Sequence, residues 1–202
     1  MQRGFELLSF RFAERRACAA INDLIQFVQV HVDPSHRHSW VRYLRKRTGR
    51  PRPEAVLIDH TPLEMPLKAL GPIEIQPVRR TADEPLFNSL MEHYHYLAYE
   101  QPVGEHLKYL AWAQGRPIAC LAWSSAPRHL GSRDRYIGWS AEARRRNIRF
   151  IAYDTRFLIL PWVRVPHMAS HILGKVTRAL SDDWAQMYGH PVYFAETFID
   201  PV

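Results

Sequence analysis

At 202 residues, with 47% hydrophobic and 23% charged, the chain has room for one full domain and a smaller appendage, and its composition excludes wholesale disorder. Lys and Arg outnumber Asp and Glu by 27 to 20, a formal net charge of +7, which points to a polyanionic partner, DNA or RNA. Cys18 and Cys120 have no finger spacing, and the longest apolar runs, such as 157–163, fall short of the ~18–20 residues that span a bilayer.

Between Phe5 and Arg47 apolar residues recur at helical intervals, as in Ala19, Leu24, Phe27 and Val28, so residues 1–50 read as a small, helical, basic N-terminal region. Its densest basic stretch carries Arg42, Arg45, Lys46 and Arg47, then Arg50 and Arg52, beside Trp40 and Tyr43. Phosphate contact with aromatic support is one reading of it, and a solvated helix face is the other. Six prolines fall in residues 48–77, which argues against any long helix there and makes 51–70 a Pro-rich linker.

From Pro72 the pattern changes. Ile73, Ile75 and Val78 predict a short strand, and Asp83 is placed to cap a helix through Leu86, Leu90 and Tyr94. Residues 107–112 and 118–123 read as strands joined by Ala113-Gln-Gly-Arg-Pro117, an antiparallel hairpin. The polar, Arg-rich stretch 124–149 gives no clear backbone pattern beyond one or two helical turns at 142–147. Residues 156–160 are a buried strand by composition, ended by Pro161. Apolar spacing at 168, 172, 173, 176, 180 and 184 predicts a helix from Met168 to Tyr188, stopped by Gly189, and 192–199 resumes as a strand.

This makes 71–202 one α/β (α+β) domain. Its element order resembles the GCN5-related N-acetyltransferase fold, a mixed sheet flanked by helices. In that fold the turn before the long helix holds the pyrophosphate of acetyl-coenzyme A. The resemblance assigns Arg164, His167, Ala169 and Ser170 to that turn, with His167 standing where the fold has glycine.

A second resemblance lies in the words themselves. His93-Tyr-His-Tyr-Leu97, Val103-Gly104, Arg133-Asp134, Ile137-Gly-Trp139, Arg156-Phe-Leu-Ile-Leu-Pro-Trp162, Ala169-Ser-His171 and Glu196-Thr-Phe-Ile-Asp200 occur in the order of the DruA family. That family includes a component of the Druantia anti-phage defence system, and some relatives are labelled transposase-like. The resemblance implies a nucleic-acid-associated component of a phage-defence or mobile-element system, with other defence proteins as partners. The expected address is cytoplasmic, because the N-terminus shows no signal-peptide core and no apolar run spans a bilayer. The family usually continues past the last strand with a Gly- and Arg-rich tail, so the expectation is a chain lacking that tail, with an open edge at its last strand. Residues 1–66 do not match the family's usual N-terminal region.

Glu196, His171 and Asp134 are the candidate catalytic groups, with Glu196 expected to work beside His171 or Arg156. Phosphate contact is expected from Arg133, Arg144, Arg145, Arg146 and Arg156 as well as from the N-terminal basic stretch. For Arg133 and Asp134 the alternative reading is a structural ion pair that holds their loop. Packing of the 168–188 helix across its neighbouring strands is expected to gather Arg164, His171 and Glu196 round one depression. No metal is expected. An acyltransferase using acetyl-coenzyme A and a non-enzymatic subunit docking through its sheet edge are the alternatives.

Overall fold

The computed structural model describes residues 6–11 and 51–199. A hairpin forms the centre of the sheet. Strands β3 (His106–Ala113) and β4 (Arg116–Ser125) meet at Gln114 and Gly115, both with positive φ, the backbone handedness that a two-residue turn needs to match strand twist. Both strands are almost wholly buried, which is why they read as nearly continuous apolar runs.

Around the hairpin the sheet grows both ways. β2 (Glu74–Pro77) pairs antiparallel with β3, and Pro77, which has no amide proton to donate, sits in this edge strand. β5 (Ile151–Ile159) pairs antiparallel with β4. The chain then crosses over through a long helix to β6 (Phe194–Ile199), which runs parallel to β5, as a parallel pair requires. β1 (Glu6–Arg11) pairs antiparallel with the far side of β6. The order is β1-β6-β5-β4-β3-β2, so the sheet is mixed and open.

Helices cover both faces. α1 (Glu84–Tyr94) lies on one, where Lys108 reaches Glu84 and Asn88 at 2.7 and 2.9 Å. Tyr109, the next residue of β3, points the other way and donates to Asp183 at 2.9 Å on α4 (Met168–Tyr188), because successive strand side chains alternate. α4 buries Ile172, Val176, Leu180 and Trp184, the stripe that its spacing predicts, and Gly189 closes it at φ 76. The unassigned stretch 124–149 contains two short helices, α2 (Gly131–Ile137) and α3 (Ala141–Asn147).

Four expectations change. Glu6–Arg11 is a strand and not part of a helical region, since pairing with β6 satisfies its backbone on that side. The rest of the basic N-terminal stretch, with Arg42, Arg45, Lys46 and Arg47, lies outside the described residues. By the same pairing, β6 is not an open edge. Asp83 stands at the start of α1 without a side-chain cap, and the Glu84 carboxylate instead accepts the Arg80 amide at 2.7 Å. The Pro-rich segment also packs onto the domain: Leu63 and Leu70 are buried, and Leu63 bridges Val163 through bonds of 2.8 Å to the Trp162 carbonyl and 2.9 Å from the Arg164 amide.

Candidate functional site

Lys108 shows where the sheet departs from a simple apolar core. It is 0% exposed in the middle of β3, and a buried ammonium is tolerated only when paired. Its Nζ donates to Glu84, Asn88 and Tyr99, with Tyr99 at 3.0 Å. The Tyr99 hydroxyl in turn donates a hydrogen bond to the Gln101 side-chain carbonyl. Burial works against the Glu84 carboxylate, yet the bonds from Lys108 and the Arg80 amide hold it below the usual carboxylate range.

This network forms one wall of a cavity of about 360 Å³ on the α1 face of the sheet. Phe87 and Met91 from α1, Ala122 and Ser124 from β4, and Tyr153, Thr155 and Arg156 from β5 line it, with residues 99–103 and Pro127 around the opening. A bulge builds the β5 side. Ala122 pairs with Arg156 while Trp123 pairs with Asp154, so Thr155 is an extra residue, and its hydroxyl donates to the Ala122 carbonyl at 2.9 Å. Beyond Tyr153 β5 has no further ladder partner in β6.

Arg156 enters the cavity from the bulge. Its Nη1 donates to the Thr155 carbonyl at 2.7 Å, and Nη2 lies 3.7 Å from the exposed Glu100 carboxylate. Next to it is His95, whose Nδ1 accepts the Leu97 amide at 3.2 Å and whose ring stacks on Tyr96. Burial, reinforced by the Arg156 charge, pushes its pKa down to about 4. His95 is therefore neutral at physiological pH.

Further along the same face, a buried charge cluster joins α2 to β6. Arg133 is 0% exposed. It donates to Glu196 at 3.0 Å, to the Pro127 carbonyl at 2.9 Å and to Asp134 at 3.3 Å. Asp134 also accepts Trp139 at 3.1 Å and Arg144 at 2.9 Å. Desolvation opposes ionisation of Asp134, but these donors keep its pKa below the ordinary value. Glu196 goes the other way: burial raises it, with Arg133 only partly compensating. Its Oε2 has no hydrogen-bond partner among the described residues.

Of the candidate residues, Glu196, Asp134, Arg133 and Arg144 thus come together, and Arg156 lies in the neighbouring cavity wall. Arg133 is a correction: a guanidinium sealed from solvent and committed to three acceptors cannot reach a phosphate. Arg145 and Arg146 are exposed on α3, Arg146 with Glu142 at 2.9 Å. The expected depression holding Arg164, His171 and Glu196 does not form. Glu196 lies opposite Tyr153 near the start of β5, on the face turned from α4, whereas Arg164 and His171 follow the other end of β5 on the α4 side.

There, Arg164 is largely exposed with Glu64 at 3.9 Å, and the Ser170 hydroxyl donates to the His167 carbonyl at 2.8 Å. His167 adopts φ 61, so it takes the left-handed backbone that glycine supplies in the turn it resembles. His171 is exposed, and partial burial with nearby Lys175 and Arg178 lowers its pKa. None of Arg164, His167, Ala169, Ser170 and His171 lines the cavity. Sequence reasoning missed Lys108, Ser124 and Tyr99; a lysine flanked by Leu107 and Tyr109 in an otherwise apolar strand was the available signal.

Among the described residues no group of three His, Cys, Asp or Glu is placed to hold a metal ion, and no helix is long and apolar enough to cross a membrane.

An open mixed sheet with helices on both faces and a polar cavity beside a buried charge cluster defines a mixed α/β protein with a ligand-sized site. The chain belongs to the family of Druantia protein DruA, whose model matches residues 41–200. This ties it in general terms to the Druantia anti-phage system, and the match takes in residues 41–66, which the sequence words did not connect to the family. No curated protein and no solved structure matches the chain.

Proposed function

We propose that this chain is a nucleic-acid-contacting component of anti-phage defence, gripping the sugar–phosphate backbone through the α2–α3 segment. The observation that carries this is the charge arrangement of residues 128–149, which hold seven arginines against two carboxylates, Asp134 and Glu142. Those two carboxylates are engaged, Asp134 by Arg133 and Arg144 and Glu142 by Arg146. Arg128, Arg135, Arg145 and Arg149 are exposed, and none has a carboxylate within 4.0 Å among the described residues. Guanidinium groups facing water on this short helical pair (Arg135, Arg145) and just beside it (Arg128, and Arg149 over the Phe150 ring) can replace the counterions of a polyanion. Exposed Tyr136 beside Arg135 adds a ring able to stack on a base.

Fluorescence anisotropy with labelled duplex and single strands tests this. Affinity is expected to fall steeply with salt. The doubly reversed variant Arg145→Glu, Arg149→Glu should flatten the slope of log affinity against log salt by about 2, roughly one unit per lost phosphate contact. No binding at low salt, or an unchanged slope in the variant, would overturn the reading.

A further inference from the structure

The cavity under α1 contains two cationic side chains, and only one of them is available. An ammonium has three protons to donate, and Lys108 gives them to Glu84, Asn88 and Tyr99. A guanidinium has five N–H donors. Arg156 uses one on the Thr155 carbonyl, its Nη2 lies beyond hydrogen-bond reach of Glu100 at 3.7 Å, and its Nε is buried with no partner among the described residues. Its side chain is only 18% exposed, the Glu100 side chain beside it is 77% exposed and solvated, and burial pushes the nearby Asp154 carboxyl up to about 7, so neither acid fully compensates its charge. The Ser124 hydroxyl, in the same lining, is also buried without a partner among the described residues. Buried polar atoms are nearly always satisfied. Two such groups in one wall call for a ligand rich in acceptors, and the planar fork of arginine fits a phosphate.

The remaining lining narrows the ligand further. A bare anion would leave Phe87, Met91, Tyr99, Pro127 and the rest of about 360 Å³ unused. A flat ring carrying a phosphate uses both parts, and Tyr96, exposed and stacked on His95, extends the aromatic surface beside Arg156. We infer that this cavity is a mononucleotide site, taking one nucleotide unit with its phosphate on Arg156 and Ser124 and its base against the aromatic wall. The unit is either a free nucleoside monophosphate or a single nucleotide of a strand.

Calorimetric titration of the full chain with adenosine monophosphate, thymidine monophosphate, adenosine and inorganic phosphate tests this. Both monophosphates are expected to bind, with adenosine and phosphate each at least tenfold weaker. Arg156→Gln should abolish binding. Two variants at exposed positions leave the fold alone: Glu100→Gln should tighten adenosine monophosphate several-fold by releasing Arg156, and Val103→Glu, at a rim residue 94% exposed, should weaken it by a similar factor. Adenosine binding as tightly as its monophosphate, or affinity indifferent to Glu100→Gln and Val103→Glu, would overturn the assignment. So would the absence of heat with both monophosphates.

A 5′-phosphorylated trinucleotide separates the two sources. If it displaces the monophosphate, the site takes a strand nucleotide; if it does not, the site takes the free molecule. The inference does not rest on the α2–α3 surface. Arg145→Glu, Arg149→Glu should keep monophosphate binding, and Arg156→Gln should keep the salt slope for duplex, so either reading can fail alone.

Discussion

Arg133 illustrates how one side chain can be essential to the molecule without touching a partner. Its guanidinium holds α2 against β6 by neutralising Glu196 in a site closed to water. Removing one member of such a pair costs more than the pair itself contributes, because the remaining charge stays buried. Arg133→Met is therefore expected to lose about 3–5 kcal/mol, read as a lower urea midpoint. The loss has a pH sign. Burial already raises the Glu196 pKa, and without its cation the carboxyl rises further. The penalty thus grows as pH rises above the ordinary glutamate value and shrinks as acid protonates the group. Adding Glu196→Gln to Arg133→Met should restore much of the stability at pH 8. A loss equally large at pH 5 and pH 8 would show that packing, not charge, holds the cluster.

At the scale of elements, what the sequence disclosed follows from burial on one face or two. Met168–Tyr188 is an amphipathic helix with one buried stripe, so its spacing is explicit in the residues. The hairpin was legible because the Gly- and Pro-containing stretch 113–117 separates two apolar runs. β1 was not, since six residues paired only at β6 carry too little pattern to outweigh the helical spacing that follows. The cavity was invisible for another reason. It depends on the Thr155 bulge and on strands of distant sequence, and neither leaves a local signature.

The α2–α3 segment also resisted reading, because seven-residue helices have hardly two turns over which to show a period. α3 needs help at its ends to persist at that length. Ser140 provides it by accepting the Ala143 amide at 3.1 Å. Ser140→Ala should cost about 1 kcal/mol and Ser140→Asp much less. Thermal melting of both variants checks the cap, and an alanine variant as stable as the parent would remove it from the account.

For the molecule as a whole, the instructive boundary is the one between the Pro-rich segment and the domain. Composition places it near residue 70, since six prolines in thirty residues look like a linker. Yet residues 51–70 form a strap. The Val56 amide donates to Ser89, Arg116 donates to the Asp59 and Thr61 carbonyls, and the His60 ring lies 4.5 Å from Trp162. Prolines forbid a helix without forbidding an ordered extended chain, and extended chain can still deliver Leu63 and Leu70 to the core. Burying those two leucines is worth about 1.5–3 kcal/mol each. Against a total stability on the order of 5–15 kcal/mol, the strap is a substantial share. A chain of residues 51–202 should therefore have a clearly higher urea midpoint than one of residues 71–202. Both lack β1, so the difference isolates the strap. Equal midpoints would return 51–70 to the status of a linker, whereas a lower midpoint with dye-binding apolar surface in the shorter chain would place residues 51–70 inside the folding unit.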